Sequence, residues 1–97
     1  MIKHIVLFDR IDGVAKGDPR VERAFAELRA LEAKIPLIRQ WEVGENFSDR
    51  PIATDFGLYS GFDSAADLAA YIDDPAHLEV VALLKEVCTW KLCDYEV

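Results

Sequence analysis

Residues 71–77, Tyr-Ile-Asp-Asp-Pro-Ala-His, interrupt a helix-like apolar segment in the second half of the chain. Asp74 followed by Pro75 is typical of a helix start. Aspartate caps the first free N–H groups, and proline at the first helical position lacks an N–H that would need a partner. One helix is therefore predicted to end near Ile72 and another to begin at Pro75. This break places His77 in the first turn of the new helix.

His77 begins an apolar stripe. The positions on the same helical face are Val80, Val81, Leu84 and Cys88. The imidazole is therefore predicted to point toward the core, and Tyr71 comes from the end of the preceding helix. Three interpretations of His77 stay open: a core histidine bonded to a backbone carbonyl, a general acid or base, and a haem ligand. Tyr71 is either an aromatic that closes its helix or a proton partner, depending on its distance from His77.

Composition limits the class of protein. The 97 residues predict a single domain, residues 1–97, and 52% hydrophobic with 30% charged residues is ordinary for a small globular protein. The formal net charge of −7 and the scattered lysines and arginines argue against nucleic acid as a partner.

No apolar run approaches the ~20 residues of a membrane span, and the N-terminal stretch is too short for a signal peptide. We therefore expect a soluble, cytoplasmic protein without a membrane partner.

The cysteines, Cys88 and Cys93, do not form a recognisable metal motif. Neither a Cys-x-x-Cys nor a His-x-x-x-His spacing occurs, so no metal and no cofactor is predicted. The simpler interpretation is that both are small buried side chains in a reducing compartment.

The first strand, residues 2–9, is largely apolar on both faces, which predicts a central strand that is covered on both sides. His4 is the exception on its face. A buried imidazole needs a hydrogen-bond partner, and that partner can be structural or part of a ligand site.

The remaining segments follow from period and capping signals. The predicted elements are a helix over 19–34, strands over 37–47 and 54–62, a helix over 65–72, a helix from 75 to about 88 and a strand over 90–97.

This order predicts an α+β, ferredoxin-like βαββαβ fold, whose four-stranded antiparallel sheet carries its helices on one face and whose second helix is broken in two. The other face would stay bare. Because the first strand needs cover on both sides, we infer a homodimer packed sheet against sheet.

The sequence also resembles the stress-responsive A/B barrel family of dimeric α+β barrels. The similarity runs nearly end to end and rests on the opening Met-Ile-Lys-His-Ile-Val-Leu-Phe, the segments 42–44, 55–62 and 70–72, and above all the Asp-Pro-Ala-His of residues 74–77. It implies two ferredoxin-like subunits whose sheets form a shared barrel.

The family includes plant stress proteins without an established reaction and a plant polyketide cyclase. In that cyclase, residues matching Tyr71 and His77 serve an aldol-type ring closure in a cavity between sheet and helices, and a histidine matching His4 lines the same cavity. Its other pocket histidines and tyrosines do not recur in this chain.

Our hypothesis is a homodimer that binds a small, partly apolar organic molecule between sheet and helices. His77 would be the general acid or base, Tyr71 would orient a carbonyl or share the proton, and His4 would hold a polar group of the ligand. The alternative is a structural or stress-related dimer with no small-molecule reaction. We further expect the chain break to bring Tyr71, His77 and His4 to one cleft.

Overall fold

The computed structural model describes all 97 residues, Met1–Val97. The strands are β1 (Ile2–Arg10), β2 (Gln40–Glu45), β3 (Phe56–Phe62) and β4 (Cys88–Glu96), and the helices are α1 (Pro19–Lys34), α2 (Ala65–Asp73) and α3 (Pro75–Lys85). No helix combines the length and the apolar character that crossing a membrane requires.

The strands form one antiparallel sheet in the order β2-β3-β1-β4. β1 and β3 are central, and β2 and β4 are the edges. This confirms the predicted ferredoxin-like arrangement, including the helix broken into α2 and α3. The predicted central position of the first strand is confirmed as well.

Each helix is preceded by a residue whose side chain caps its N-terminus. Asp18, Ser64 and Asp74 accept hydrogen bonds from backbone N–H groups two or three residues further on, at 2.9, 3.1 and 2.8 Å. Such a cap satisfies a donor that has no partner within the helix. The helix starts predicted at residues 19, 65 and 75 are therefore confirmed, and the break between α2 and α3 is only one residue long.

The core lies between the helices and one face of the sheet. On β1, His4, Val6 and Phe8 point to this face and are buried. Phe25 of α1 stacks on Phe56 of β3 at 3.8 Å between ring centroids, and stacked aromatic pairs contribute large apolar contact areas.

The opposite face of the sheet, which we call the open face, has no helix over it. Leu7 of β1 lies there and is 48% exposed, and Ile5 and Tyr59, which pair across β1 and β3, are only half-buried. A contiguous apolar surface of this kind is typical of an interaction site.

Several element boundaries differ from the prediction, most of all those of the second strand and the last helix. The strand expected over 37–47 is limited to β2, since the N–H of Ile38 bonds the carbonyl of Ile35 at 3.2 Å and closes a turn just after α1. The last helix ends at Lys85 rather than near residue 88, because Cys88 already pairs with Arg10 in the sheet.

The buried face of α2 also differs. The helical period of the sequence predicts Ala65, Leu68, Ala69 and Ile72 as its inner face. In the structure Leu68 and Tyr71 are buried and the others are exposed. The Tyr71 ring packs on Phe62 with 5.0 Å between centroids, and this larger apolar contact orients the helix.

Candidate functional site

A cavity of about 230 Å³ lies between the helix-covered face of the sheet and the α2–α3 break. His4, Tyr71 and His77 all line it, and we call it the histidine–tyrosine cavity. The rest of its wall is apolar: Val6, Phe8, Leu28, Leu58, Ile72, Val80, Val81, Leu84, Trp90 and Leu92. A larger hollow of about 960 Å³ lies on the open face, but it is wide open and contains neither histidine. All three candidate residues therefore lie at the smaller cavity, and none of them lines the larger hollow.

The break between α2 and α3 brings Tyr71 and His77 together. Their ring centroids are 4.4 Å apart, although in one continuous helix six residues would separate them by about 9 Å along the axis. A hydrogen bond spans the break at 2.9 Å, from Nδ1 of His77 to the carbonyl oxygen of Ile72. The end of α2 and the first turn of α3 thus hold the pair in place.

The Ile72 carbonyl also determines where the proton of His77 lies. A carbonyl oxygen only accepts, so Nδ1 carries the hydrogen and Nε2 of the neutral ring keeps its lone pair. Desolvation is the main reason that the pKa of His77 lies below 6.5, and the positive field of His4 adds to it; the Ile72 hydrogen bond and Asp74 oppose the shift. His77 is therefore a neutral base at pH 7.

Tyr71 is almost fully enclosed, with 1% of its surface exposed. Besides His77, its ring contacts His4 and Trp41, at 6.1 and 5.9 Å between centroids. Its hydroxyl takes part in no side-chain hydrogen bond of the chain. Burial raises the pKa of the phenol well above 10.0. The phenol therefore stays protonated and is a hydrogen-bond donor at the cavity.

His4 has a partner that the sequence did not reveal. Asp94 stands directly opposite it in the β1–β4 register, and its carboxylate accepts a hydrogen bond from Nδ1 of His4. Because a carboxylate only accepts at neutral pH, Nδ1 of His4 is the nitrogen that carries the shared hydrogen, and Nε2 makes no hydrogen bond within the chain. The imidazole is only 5% exposed, so Asp94 supplies the partner that a buried ring needs.

Together these groups can move a proton at one end of an apolar cavity. Nε2 of His77 can accept a hydrogen bond or a proton, Nε2 of His4 can bind a polar group, and the Tyr71 phenol can donate a hydrogen bond. The expected common cleft for His4, Tyr71 and His77 is confirmed as geometry. The interpretation of His77 as a core histidine explains the hydrogen bond from Nδ1 to a backbone carbonyl. It leaves Nε2 without a hydrogen-bond partner in the chain.

The cysteines lie outside this site. Cys88 is buried, as predicted, and burial is the main cause that raises the pKa of its thiol to about 11. Cys93 is exposed, which corrects the expectation that both would be buried. It pairs with Ile5 on the open face, where only a second molecule would cover it.

Comparison with known proteins gives one family. The family model "Stress responsive A/B Barrel Domain" matches residues 2–97. An uncharacterized protein of Streptomyces coelicolor is 47% identical over 96 residues, covering 99% of both chains.

Several solved structures share the fold. A dimeric ferredoxin-like protein of unknown function from Bacteroides fragilis is 33% identical, with a TM-score of 0.83 over 99% of this chain and 95% of that one. A dimeric ferredoxin-like protein from Thermobifida fusca is 25% identical, with a TM-score of 0.86 and coverages of 99% and 90%. The hydroxynitrile lyase of Passiflora edulis is 20% identical, with a TM-score of 0.83 and coverages of 99% and 92%, so it shares the fold alone.

Proposed function

We propose that this chain, which belongs to the stress responsive A/B barrel domain family, forms a homodimer in which each protomer binds a small, partly apolar organic molecule in the histidine–tyrosine cavity. The observation that carries this is the grouping of Tyr71 and His77, with rings 4.4 Å apart, around an otherwise apolar space. Their hydroxyl and Nε2 have no partner in the chain, and a ligand can supply one.

The cavity wall indicates which ligands fit. It contains no lysine, arginine, aspartate or glutamate, so a charged ligand would lose its hydration without gaining an ion pair. The volume of about 230 Å³ exceeds the ~150 Å³ of an apolar cavity that holds benzene. We therefore favour an uncharged molecule of one ring or a short chain with one carbonyl group.

The same arrangement supports acid–base chemistry. A carbonyl oxygen of the ligand would accept the hydrogen bond of the Tyr71 phenol, and Nε2 of His77 would remove a proton from the carbon next to that carbonyl. The negative charge that develops on the oxygen would be stabilised by the phenol. His4, held by Asp94, would bind a further polar group. Removal of such a proton is the first step of an aldol-type ring closure, as in a polyketide cyclase.

The homodimer is supported by the open face and by the relatives. Leu7 is 48% exposed there, and related ferredoxin-like proteins from Bacteroides fragilis and Thermobifida fusca are described as dimeric. A specific interface of this kind removes at least about 1,000 Å² of total surface from water.

Acetophenone tests the chemistry, because it is an uncharged aromatic ketone with removable protons beside its carbonyl. In D₂O at pH 7.5, NMR would follow its binding and the uptake of deuterium at its methyl carbon. We expect exchange above the buffer rate for the wild type. His77→Gln should lower it by about 100-fold or more, the usual contribution of a general base.

Two tyrosine variants provide the controls. Tyr71→Phe keeps the ring contacts, so it should lose exchange but not thermal stability, whereas Tyr95→Phe, on an exposed tyrosine, should change neither. If acetophenone and a panel of small uncharged ketones and aldehydes neither bind nor exchange, the proposal is wrong. The non-catalytic, structural dimer would then be the better description.

A further inference from the structure

The loop between β2 and β3, residues 46–55, is ordered by its own hydrogen bonds, and we call it the arm. Nδ2 of Asn46 donates a hydrogen bond to the carbonyl oxygen of Ser48 at 2.6 Å, and Oδ1 of Asn46 accepts one from the N–H of Ser48 at 3.2 Å. The N–H of Arg50 bonds the Ser48 hydroxyl at 3.0 Å, and the N–H of Asn46 bonds the carbonyl of Asp55 at 2.8 Å. The arm therefore has a defined shape without external support.

This ordered arm displays two large apolar side chains to water. Phe47 is 100% exposed and Ile52 is 81% exposed. Neither side chain contributes to the core of its own protomer. Apolar side chains on a rigid loop bind at little entropic cost, since the loop is already held in one conformation.

The arm lies beside the open face. Phe47 and Ile52 line the hollow of about 960 Å³ together with Ile5, Leu7 and Tyr59 of the sheet. The exposed apolar surface of the arm is thus continuous with that of the sheet, and a molecule that covers one also meets the other.

We propose that Phe47 and Ile52 are the main anchors of the homodimer and are buried against a second copy of this chain. The inference rests on the proposed dimer and goes beyond it, because it assigns most of the binding energy to the arm rather than to the flat sheet. Anchors of this kind are a few large side chains that lose most of their exposure on binding.

Charge favours a second copy over an unrelated protein. On the open face, the β2 edge carries Glu42, opposite Tyr59, whereas the β4 edge carries Lys91, opposite Leu7. A two-fold interface must be complementary to itself. An acidic residue on one edge and a basic residue on the other meet that condition, because the acidic edge of each copy can face the basic edge of its partner.

Sedimentation of the full chain tests this inference. Phe47→Ser/Ile52→Ser should raise the dimer Kd by at least about tenfold, the effect of losing anchors worth more than 1 kcal/mol. The matched control is Leu78→Ser, which changes an equally apolar side chain, 53% exposed, on α3 away from the open face. It should leave the Kd unchanged.

The outcomes separate the two proposals. A wild type that stays monomeric at about 50 μM, well above the Kd of a specific complex, would overturn the dimer itself. A dimeric wild type whose Kd changes less than twofold in the arm variant would overturn only the role of the arm. If the double variant loses its circular-dichroism signal, the single Ile52→Thr variant, with the same sedimentation measurement, decides between these outcomes.

Discussion

At the scale of single residues, the charge and the tautomer of His77 have different causes. Burial lowers the pKa of the ring below 6.5, so the folded protein holds this side chain neutral. The Ile72 carbonyl fixes the hydrogen of the neutral ring on Nδ1. An exposed histidine would instead be partly protonated at pH 6.5.

This neutral state predicts a pH dependence of stability. Above about pH 6.5 the ring is neutral in both the folded and the unfolded chain, so it has no effect. As the pH falls below that value, the unfolded chain takes up the proton first, and the free energy of unfolding decreases. Urea denaturation at pH 7.5 and 5.5 should show a larger loss for the wild type than for His77→Gln. Equal losses would show that His77 does not titrate differently on folding.

Sequence reasoning identified His4, Tyr71 and His77 but missed Asp94. The helix positions follow from chain distance and capping, which are local. The pairing of His4 with Asp94 depends on the register of two strands about 90 residues apart in the chain, which nothing local determines. A charged residue in the last strand, opposite a buried histidine, was the one available signal.

At the scale of elements, the junction of α2 and α3 builds the site. Asp74 ends the first helix and caps the second, and the break is short enough for a hydrogen bond to span it. The capping pattern was readable from sequence. The buried face of α2 could not be predicted from the sequence. Ala65 and Ala69 suggested a different apolar face, and the aromatic residues that contact Tyr71 come from strands distant in the chain.

The cap gives a prediction for this element. Asp74→Ala should lower the free energy of unfolding by about 1 kcal/mol, since the N–H of Ala76 loses its acceptor. Asp73→Ala is the matched control. It removes a neighbouring exposed carboxylate from the C-terminal end of α2, where a negative charge is unfavourable, so it should be neutral or slightly stabilising. Urea denaturation compares them, and equal effects would argue against the cap.

At the scale of the whole molecule, we expect an introduced charge to have different effects on the two faces of the sheet. Val6 is 4% exposed and faces the helices, whereas Leu7 is 48% exposed on the open face. The apolar character of both faces of the first strand predicted a second copy against the open face, as in the dimeric relatives. The exposed apolar side chains of the arm were not evident, because Phe47 was predicted as the end of a strand over 37–47, whereas β2 ends at Glu45.

Leu7→Asp should therefore dissociate the proposed dimer without unfolding the protomer. An unpaired charge buried in the interface costs several kcal/mol, but the same side chain in a free protomer reaches water. Leu78→Asp, on the helix side, should remain dimeric. Light scattering after size exclusion measures both, and a dimer that persists in Leu7→Asp would place the interface elsewhere.

β4 contributes side chains both to the histidine–tyrosine cavity and to the open face. It is an edge strand, and alternate residues face opposite ways: Trp90 and Leu92 line the cavity, while Lys91 and Cys93 face the open side. The proposed ligand and the proposed dimer would therefore both contact the same strand. If dimerisation raises the affinity for the ligand by some factor, thermodynamic linkage requires that ligand binding raise the affinity of the two protomers for each other by the same factor. Ligand titrations at different protein concentrations would then give different apparent affinities.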